Sequence, residues 1–256
     1  MATIQKSERL RILLTNDDGF YAEGLQTLYQ VLKEHAEVTI VAPDRERSAV
    51  GHGITMHQPL RTTPVKLHDQ GHWLINGTPA DCVKLAVECI LKKSPPDLII
   101  AGINRGPNLG NDVLYSGTVS AAIEGRMNNM PSVAASLTGY GTMDFRPAAE
   151  FICANLSIIK QMAEAAILNI NFPPQAFKGA VLTRLGKRVY QNVFEERKDP
   201  RGQAYFWLGG EPVAFQQPDN SDIGAVESGF VSLTPLKFDL TDDSLMARYR
   251  GISFEV

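Results

Sequence analysis

The sequence predicts an α/β fold: a mostly parallel sheet with helices on both faces. Three observations predict it. Short apolar runs alternate with segments that are apolar at helical spacing, the pattern of strand–helix–strand units. The run Asp97–Ile103 (DLIIAGI) is apolar without alternation, as expected when both faces of a strand are covered. Several runs then end in polar clusters rich in Gly, Pro, Asn or Asp, where regular structure stops.

The elements follow in order. Arg11–Thr15 (RILLT) reads as a strand ending at Asn16-Asp17-Asp18-Gly19. Leu25, Leu28, Tyr29 and Leu32 recur at helical spacing. Val38–Ala42 (VTIVA) is a second buried strand, ending at Pro43-Asp44, and a shorter strand lies between Trp73 and Asn76. Thr78, Pro79 and Asp81 suit the N-cap, first position and third position of a helix carrying Val83, Ala86, Val87 and Ile90 on one face. After DLIIAGI comes Asn104-Arg105-Gly106-Pro107-Asn108, too rich in breakers to be regular. Ser116-Gly117-Thr118 then opens a helix over VSAAIEGRM, Val133–Leu137 is a strand, and Pro147 to Ala166 reads as helix. Val189–Glu196 and Gln203–Leu208 flank the turn Asp199-Pro200-Arg201-Gly202 and predict a long hairpin rich in aromatics. Phe230–Leu236 is a final strand. The organisation expected is an α/β domain over 1–185, with hairpin arm, final strand and C-terminal segment over 186–256.

A net charge of -3, from 25 basic and 28 acidic residues, gives no electrostatic footprint for long nucleic acids or anionic membranes. Three cysteines without a CxxC argue against a disulfide framework, and Cys82 and Cys89 read as packing residues on a helix. No apolar leader opens the chain and no stretch reaches the length of a membrane span, so a cytoplasmic protein is expected. The histidines, His35, His52, His57, His68 and His72, lack the spacing of a zinc site, and Lys84 and Arg126 read as solvated.

If the strands are parallel, three polar clusters share one rim: Asn16–Gly19, Asp44 to Ser48, and Asn104–Gly106. Ligands of open α/β sheets bind beyond the carboxyl ends of the strands, near a switch in strand order. Adjacent carboxylates at Asp17 and Asp18 repel each other and are costly to bury without a counter-charge. Oxygen donors from Asp17, Asp18, Ser48 and Asn104 suit a hard divalent cation such as Mg²⁺ or Mn²⁺. Taken singly each is ordinary: Asp-Asp-Gly is a surface turn, and Ser-Gly-Thr at a helix start is a cap. Their positions at successive strand ends, with a helix N-terminus able to hold an anion, make the pattern.

RILLTNDDGFYAEGL, VAPDRERSAVGHGIT, INGTPADCVKLA, DLIIAGINRGPNLGNDVLYSGTVSAAIEG and PSVAASL, with SDIGAVESGFVSLTPL further on, together resemble the stationary-phase survival protein (SurE) family of 5'/3'-nucleotidases. The resemblance implies a three-layer αβα, Rossmann-like fold and a metal-dependent phosphomonoesterase site. It puts one divalent metal per subunit, Mg or Mn, on Asp17, Asp18, Ser48 and Asn104, with Asp17, Asp18 and Asn104 as the catalytic set. Phosphate contacts fall on Asn16, Ser116, Gly117 and Thr118, with Gly19 and Asn108 beside them as substrate-binding candidates. The implied substrate is a nucleoside monophosphate, attacked by metal-activated water, with Asp18 favoured slightly as proton acceptor. The hairpin and C-terminal segment are implied to exchange between subunits of a homodimer or homotetramer. Gly53 stands where the family often has serine, which implies a looser loop beside the pocket. Three other readings compete, one of them an assembly protein whose aromatic hairpin is its main business. A covalent aspartyl-phosphate on Asp17 is disfavoured because its aspartates are usually separated by one residue. A non-catalytic nucleotide-binding module is the third, although no GxGxxG follows the first strand.

Overall fold

The computed structural model describes residues 9–67, 70–139, 141–191, 193–213 and 216–253. Residues 1–8 of the leader reading, His68, Asn192 of the hairpin and residues 254–256 of the C-terminal segment lie outside them.

Strands β1 (Arg11–Thr15), β2 (Glu37–Pro43), β4 (Gln70–Ile75), β5 (Leu98–Arg105), β6 (Ser132–Leu137) and β7 (Ile167–Phe172) run parallel. They sit in a nine-stranded sheet of order β3-β4-β2-β1-β5-β6-β7-β13-β8, closed at its edges by β3 (Thr62–Leu67) and β8 (Ala180–Leu182). β3 is antiparallel to β4, and β13 (Val231–Leu236) is antiparallel to β7. The chain leaves β1 towards β2 and later returns to β1's other side with β5, so the strand order switches there.

Alternate residues of each inner strand feed opposite layers. Ile12, Leu14, Ile40 and Ile100 pack with α1 (Glu23–Leu32), α4 (Arg146–Ala154) and α5 (Leu156–Ala165). Leu13, Val41, Ile99 and Ala101 pack with α2 (Pro79–Leu85) and α3 (Gly117–Met127). That is the three-layer αβα arrangement. α1 buries Gly24, Leu25, Leu28, Tyr29 and Leu32, the predicted stripe. Each such leucine contributes ~2 kcal/mol through the apolar surface it removes from water. At Gly24 an added Cβ would lie 2.0 Å from the Ile103 carbonyl oxygen, so only glycine lets α1 lie this close to β5. α2 starts with a full capping box between Thr78 and Asp81 and Pro79 in its first turn; it continues as a π turn over Ala86–Ile90.

The predicted long helix is two, α4 and α5, broken at Asn155, and an uncalled strand, β7, follows at once. Cys82 is buried, but Cys89 is exposed, which corrects its reading as a packing residue. The hairpin arm is present: β10 (Phe194–Lys198) pairs antiparallel with β11 (Ala204–Leu208), and β9 (Val189–Gln191) with β12 (Glu211–Val213) at its root. Short helices α6 (Asp222–Glu227) and α7 (Asp243–Arg248) flank β13 in the chain. Among the described residues no helix is long and apolar enough to cross a membrane.

Candidate active site

β2, β1 and β5 are parallel neighbours, so the three polar clusters do share one rim. The β1 cluster is a self-braced loop. The Asn16 amide donates to the Gly19 carbonyl at 2.9 Å, and the Gly19 N–H donates back to the Asn16 Oδ1 at 3.2 Å. Gly19 has φ +100°, and an added Cβ would lie 3.2 Å from the Arg45 carbonyl carbon, so a side chain there is both strained and crowded. The β2 cluster docks on the same loop, with the Arg47 N–H donating to the Asp17 carbonyl at 2.7 Å. In β5 the pairing with β6 shifts register between Ala101 and Asn104. This irregularity re-aims the strand end that carries Asn104.

Asp17 is buried at 5% exposure, and its Oδ1 accepts the Thr118 hydroxyl. Burial pushes its carboxyl up to about 6, opposed by the Thr118 hydrogen bond and reinforced by the charge of Asp18. Asp18 accepts the Arg105 N–H on Oδ2 at 3.0 Å. Its carboxyl is also raised, by burial first; the Arg105 N–H pulls it down and the nearby Glu46 charge pushes it up. Among the described residues, neither aspartate has a cationic side chain within salt-bridge distance. A buried carboxylate at Asp17 with a second, half-buried one beside it is what a bound divalent cation would relieve.

No group of three or more His, Cys, Asp or Glu is placed to hold a metal among the described residues. A cation at this rim therefore depends on the aspartate pair and on neutral oxygens, a donor set that suits a hard ion. Asn104 commits its NH₂ to the Gly106 carbonyl at 2.9 Å, which leaves its amide oxygen to accept. Ser48 is exposed and donates to the Glu46 carboxylate at 2.8 Å; no hydrogen bond joins it to either aspartate.

The predicted phosphate residues divide by role. The Ser116 hydroxyl accepts the Val119 N–H at 3.0 Å and caps α3. At Gly117 an added Cβ would lie 2.8 Å from both Cβ and Oδ2 of Asp17, so glycine permits the helix start to touch the carboxylate. Thr118 holds Asp17 through its hydroxyl. Asn16 spends both ends of its amide on its own loop. Asn108 is locked in a buried polar knot. Its N–H donates to Asn171 Oδ1 at 2.9 Å and its NH₂ to Ser136 Oγ at 2.8 Å, while its carbonyl accepts from Asn169 and Asn171. Asn16 and Asn108 thus shape the loops that frame the site.

Sequence reasoning missed Arg105, whose backbone serves Asp18 while its guanidinium pairs with Glu23 at 3.0 Å and donates to the Gly141 carbonyl. Its place beside Asn104 was the available signal. Buried Glu124 was also missed. It pairs with Lys84 at 3.0 Å and His52 at 3.0 Å, which corrects the reading of Lys84 as merely solvated. These hydrogen bonds, that of His52 foremost, hold the Glu124 carboxyl down at about 2. The expected looseness at Gly53 is offset: its carbonyl accepts the Thr78 hydroxyl at 2.8 Å, and Asp81 takes the Thr55 N–H at 3.0 Å.

Fold and rim define the class: a three-layer α/β protein with an acidic pair at its strand switch, its buried member Asp17 against a helix N-terminus. Comparison with known proteins narrows it. The profile of the family described as "Survival protein SurE" matches residues 12–192. The chain belongs to the SurE family. It is 50% identical over 247 residues to "5'-nucleotidase SurE" of Pelotomaculum thermopropionicum, covering 95% of each chain. Against the protein of that name from Alkaliphilus metalliredigens it is 46% identical over 253 residues, covering 96% of this chain and all of the relative. The crystal structure of the SurE protein from Aquifex aeolicus superposes with a TM-score of 0.82 at 39% identity, covering 93% of this chain and 97% of that one.

Proposed function

We propose that the chain is a metal-dependent phosphomonoesterase that hydrolyses nucleoside 5'-monophosphates, and 3'-monophosphates as further substrates, to nucleoside and phosphate. Relatives named 5'-nucleotidase SurE at about half identity over nearly the whole chain support the activity. The observation that carries the site is buried Asp17 abutting the N-terminus of α3, with half-buried Asp18 beside it and both carboxyls raised in pKa.

In this reading Asp17, Asp18, Asn104 and Ser48 hold one Mg²⁺ or Mn²⁺, with Ser48 turning from Glu46. When bound, the ion supplies positive charge at the phosphoryl oxygens and promotes ionisation of the attacking water. The remaining work falls to the chain. The positive dipole end of α3 attracts the phosphate dianion beside Gly117. Thr118 fixes the orientation of Asp17 rather than touching substrate. Asp18 keeps Oδ1 without a hydrogen-bond partner among the described residues. It takes the proton of the attacking water there. The aromatic arm, with Phe194, Phe206 and Trp207 each more than half exposed, and α7, with Leu245 and Met246 exposed, are the surfaces assigned to a homodimer or homotetramer. The proposed location is the cytoplasm.

Phosphate release from a panel of nucleoside 5'- and 3'-monophosphates, in EDTA and then with added Mg²⁺ or Mn²⁺, tests the reading. Metal-restored release that disappears in Asp17→Asn is the expected result. Tight nucleotide binding without turnover under any metal would overturn it.

A further inference from the structure

The segment SDIGAVESGFVSLTPL belongs to the sequence pattern, yet the reaction above uses none of it. Its first acidic residue, Asp222, is fully buried. The Asp222 Oδ2 accepts the Gly110 N–H at 2.8 Å, and its Oδ1 accepts the N–H groups of Gly186 at 2.7 Å and Ile223 at 2.9 Å. Gly110 opens the short 3₁₀ turn Gly110–Leu114, which leads through Tyr115 into Ser116 and α3. Gly186 lies at the root of the arm. The two segments touch: Gly110 has φ +56°, and an added Cβ there would lie 2.9 Å from the Gly186 carbonyl oxygen. The arm's root grips the same turn again. Asn111 Oδ1 accepts the Arg188 N–H at 2.7 Å, and Asp112 accepts from Arg188 at 3.0 Å and from the Tyr190 hydroxyl at 2.5 Å.

We propose that Asp222 is a positioning residue for the reaction: it clamps the loop 106–116, and through it the start of α3, against the root of the arm. Asn108 holds the front of this loop against β6 and β7, and Asp222 holds its middle. Through Ser136, Asn169 and Asp222 the helix end that meets Asp17 is thus placed by residues far from it in sequence. The inference rests on the proposed role of that helix end in holding phosphate.

Asp222→Asn severs one tie selectively. An amide has one acceptor oxygen; kept towards Gly186 and Ile223, it turns its NH₂ against the Gly110 N–H, donor against donor. In the full-length protein with Mn²⁺, KM for adenosine 5'-monophosphate and the inhibition constant of inorganic phosphate should each rise about tenfold, the lower end of what a charge-assisted hydrogen bond is worth. The value of kcat should fall by less than KM rises, because Asp222 itself touches neither aspartate. The exposed variant Asn111→Ala, which loosens the other grip, should move both constants the same way by about threefold. A folded Asp222→Asn protein whose KM and phosphate inhibition stay within twofold of wild type overturns the proposal. Should that variant fail to fold, unchanged constants in Asn111→Ala overturn it instead. If the wild type hydrolyses no nucleotide, the proposed function fails separately, and calorimetric titration of inorganic phosphate into wild type and variants decides the clamp alone.

Discussion

Replacing Gly117 by alanine probes the contact on which the site is built. The new Cβ would lie 2.8 Å from Asp17 Cβ and Oδ2, where ordinary contacts start near 3.4 Å, so something must yield by about 0.6 Å. Asp17 is held on two sides, by the Thr118 hydroxyl on its carboxylate and the Arg47 N–H on its carbonyl. Either the aspartate swings or the first turn of α3 retreats, and both separate the carboxylate from the helix end. Misplacement on this scale costs up to about 100-fold in rate, equivalent to ~2.7 kcal/mol of transition-state stabilisation. The fold should feel little, since the change falls at the first position of α3, where the helix end can adjust without loss of core packing. Steady-state kinetics on a nucleoside 5'-monophosphate at saturating Mn²⁺, paired with thermal melting, separates the two effects. A melting temperature within a few degrees of wild type with kcat/KM down 10- to 100-fold is expected. A folded Gly117→Ala enzyme with unchanged kcat/KM would refute the reasoning.

Other predictions follow from the same geometry. Thr78→Ala removes both the cap of α2 and the tie to Gly53, and should cost ~1–2 kcal/mol in denaturant unfolding; an unmoved midpoint would contradict it. Glu124, depressed from 4.5 to about 2, contributes stability that is present above its unfolded pKa and lost as pH falls through the folded one. A shift of that size amounts to ~3 kcal/mol, and screening at half-exposed Lys84 leaves ~2 kcal/mol. Wild type and Glu124→Gln should therefore differ in urea stability at neutral pH and converge between pH 4.5 and 2; a constant gap would exclude the linkage. Deleting 193–209 should lower the mass seen by light scattering while hydrolysis persists; an unchanged mass would remove the arm from the assembly.

Much of the site's frame was legible in the sequence because strand ends announce themselves. RILLT stops abruptly at residues that cannot continue a strand, and Thr78-Pro79-Ala80-Asp81 spells out its own cap; β5, by contrast, runs on through Asn104 and Arg105, which read as too rich in breakers to be regular. What escaped has physical reasons. β7 follows α5 with no Gly or Pro between them, so ILNINF carries no boundary marker at its start. β3 contains Pro64 and is largely exposed, as an edge strand can be. The reversed direction of β13 leaves no mark in FVSLTPL, because a buried strand has the same composition either way. Within the site, side-chain partners were the hidden part. Asn16 and Thr118 read as phosphate donors, and the structure adds partners the sequence did not show, Gly19 for Asn16 and Asp17 for Thr118. Asx-to-glycine bracing was readable in Asn-Asp-Asp-Gly; the Thr118 bond, spanning 101 residues, was not. Nothing local tied Asp222 to Gly110 either, since that contact exists only once β13 and the arm's root are in place.

Anomalous diffraction from crystals soaked in Mn²⁺ tests the central claim most directly. The account predicts one strong manganese peak per subunit, ligated by Asp17 and Asp18 with Asn104 and a reoriented Ser48, and lost in Asp17→Asn crystals. A peak elsewhere on the chain, or none at the aspartate pair at saturating Mn²⁺, would contradict it.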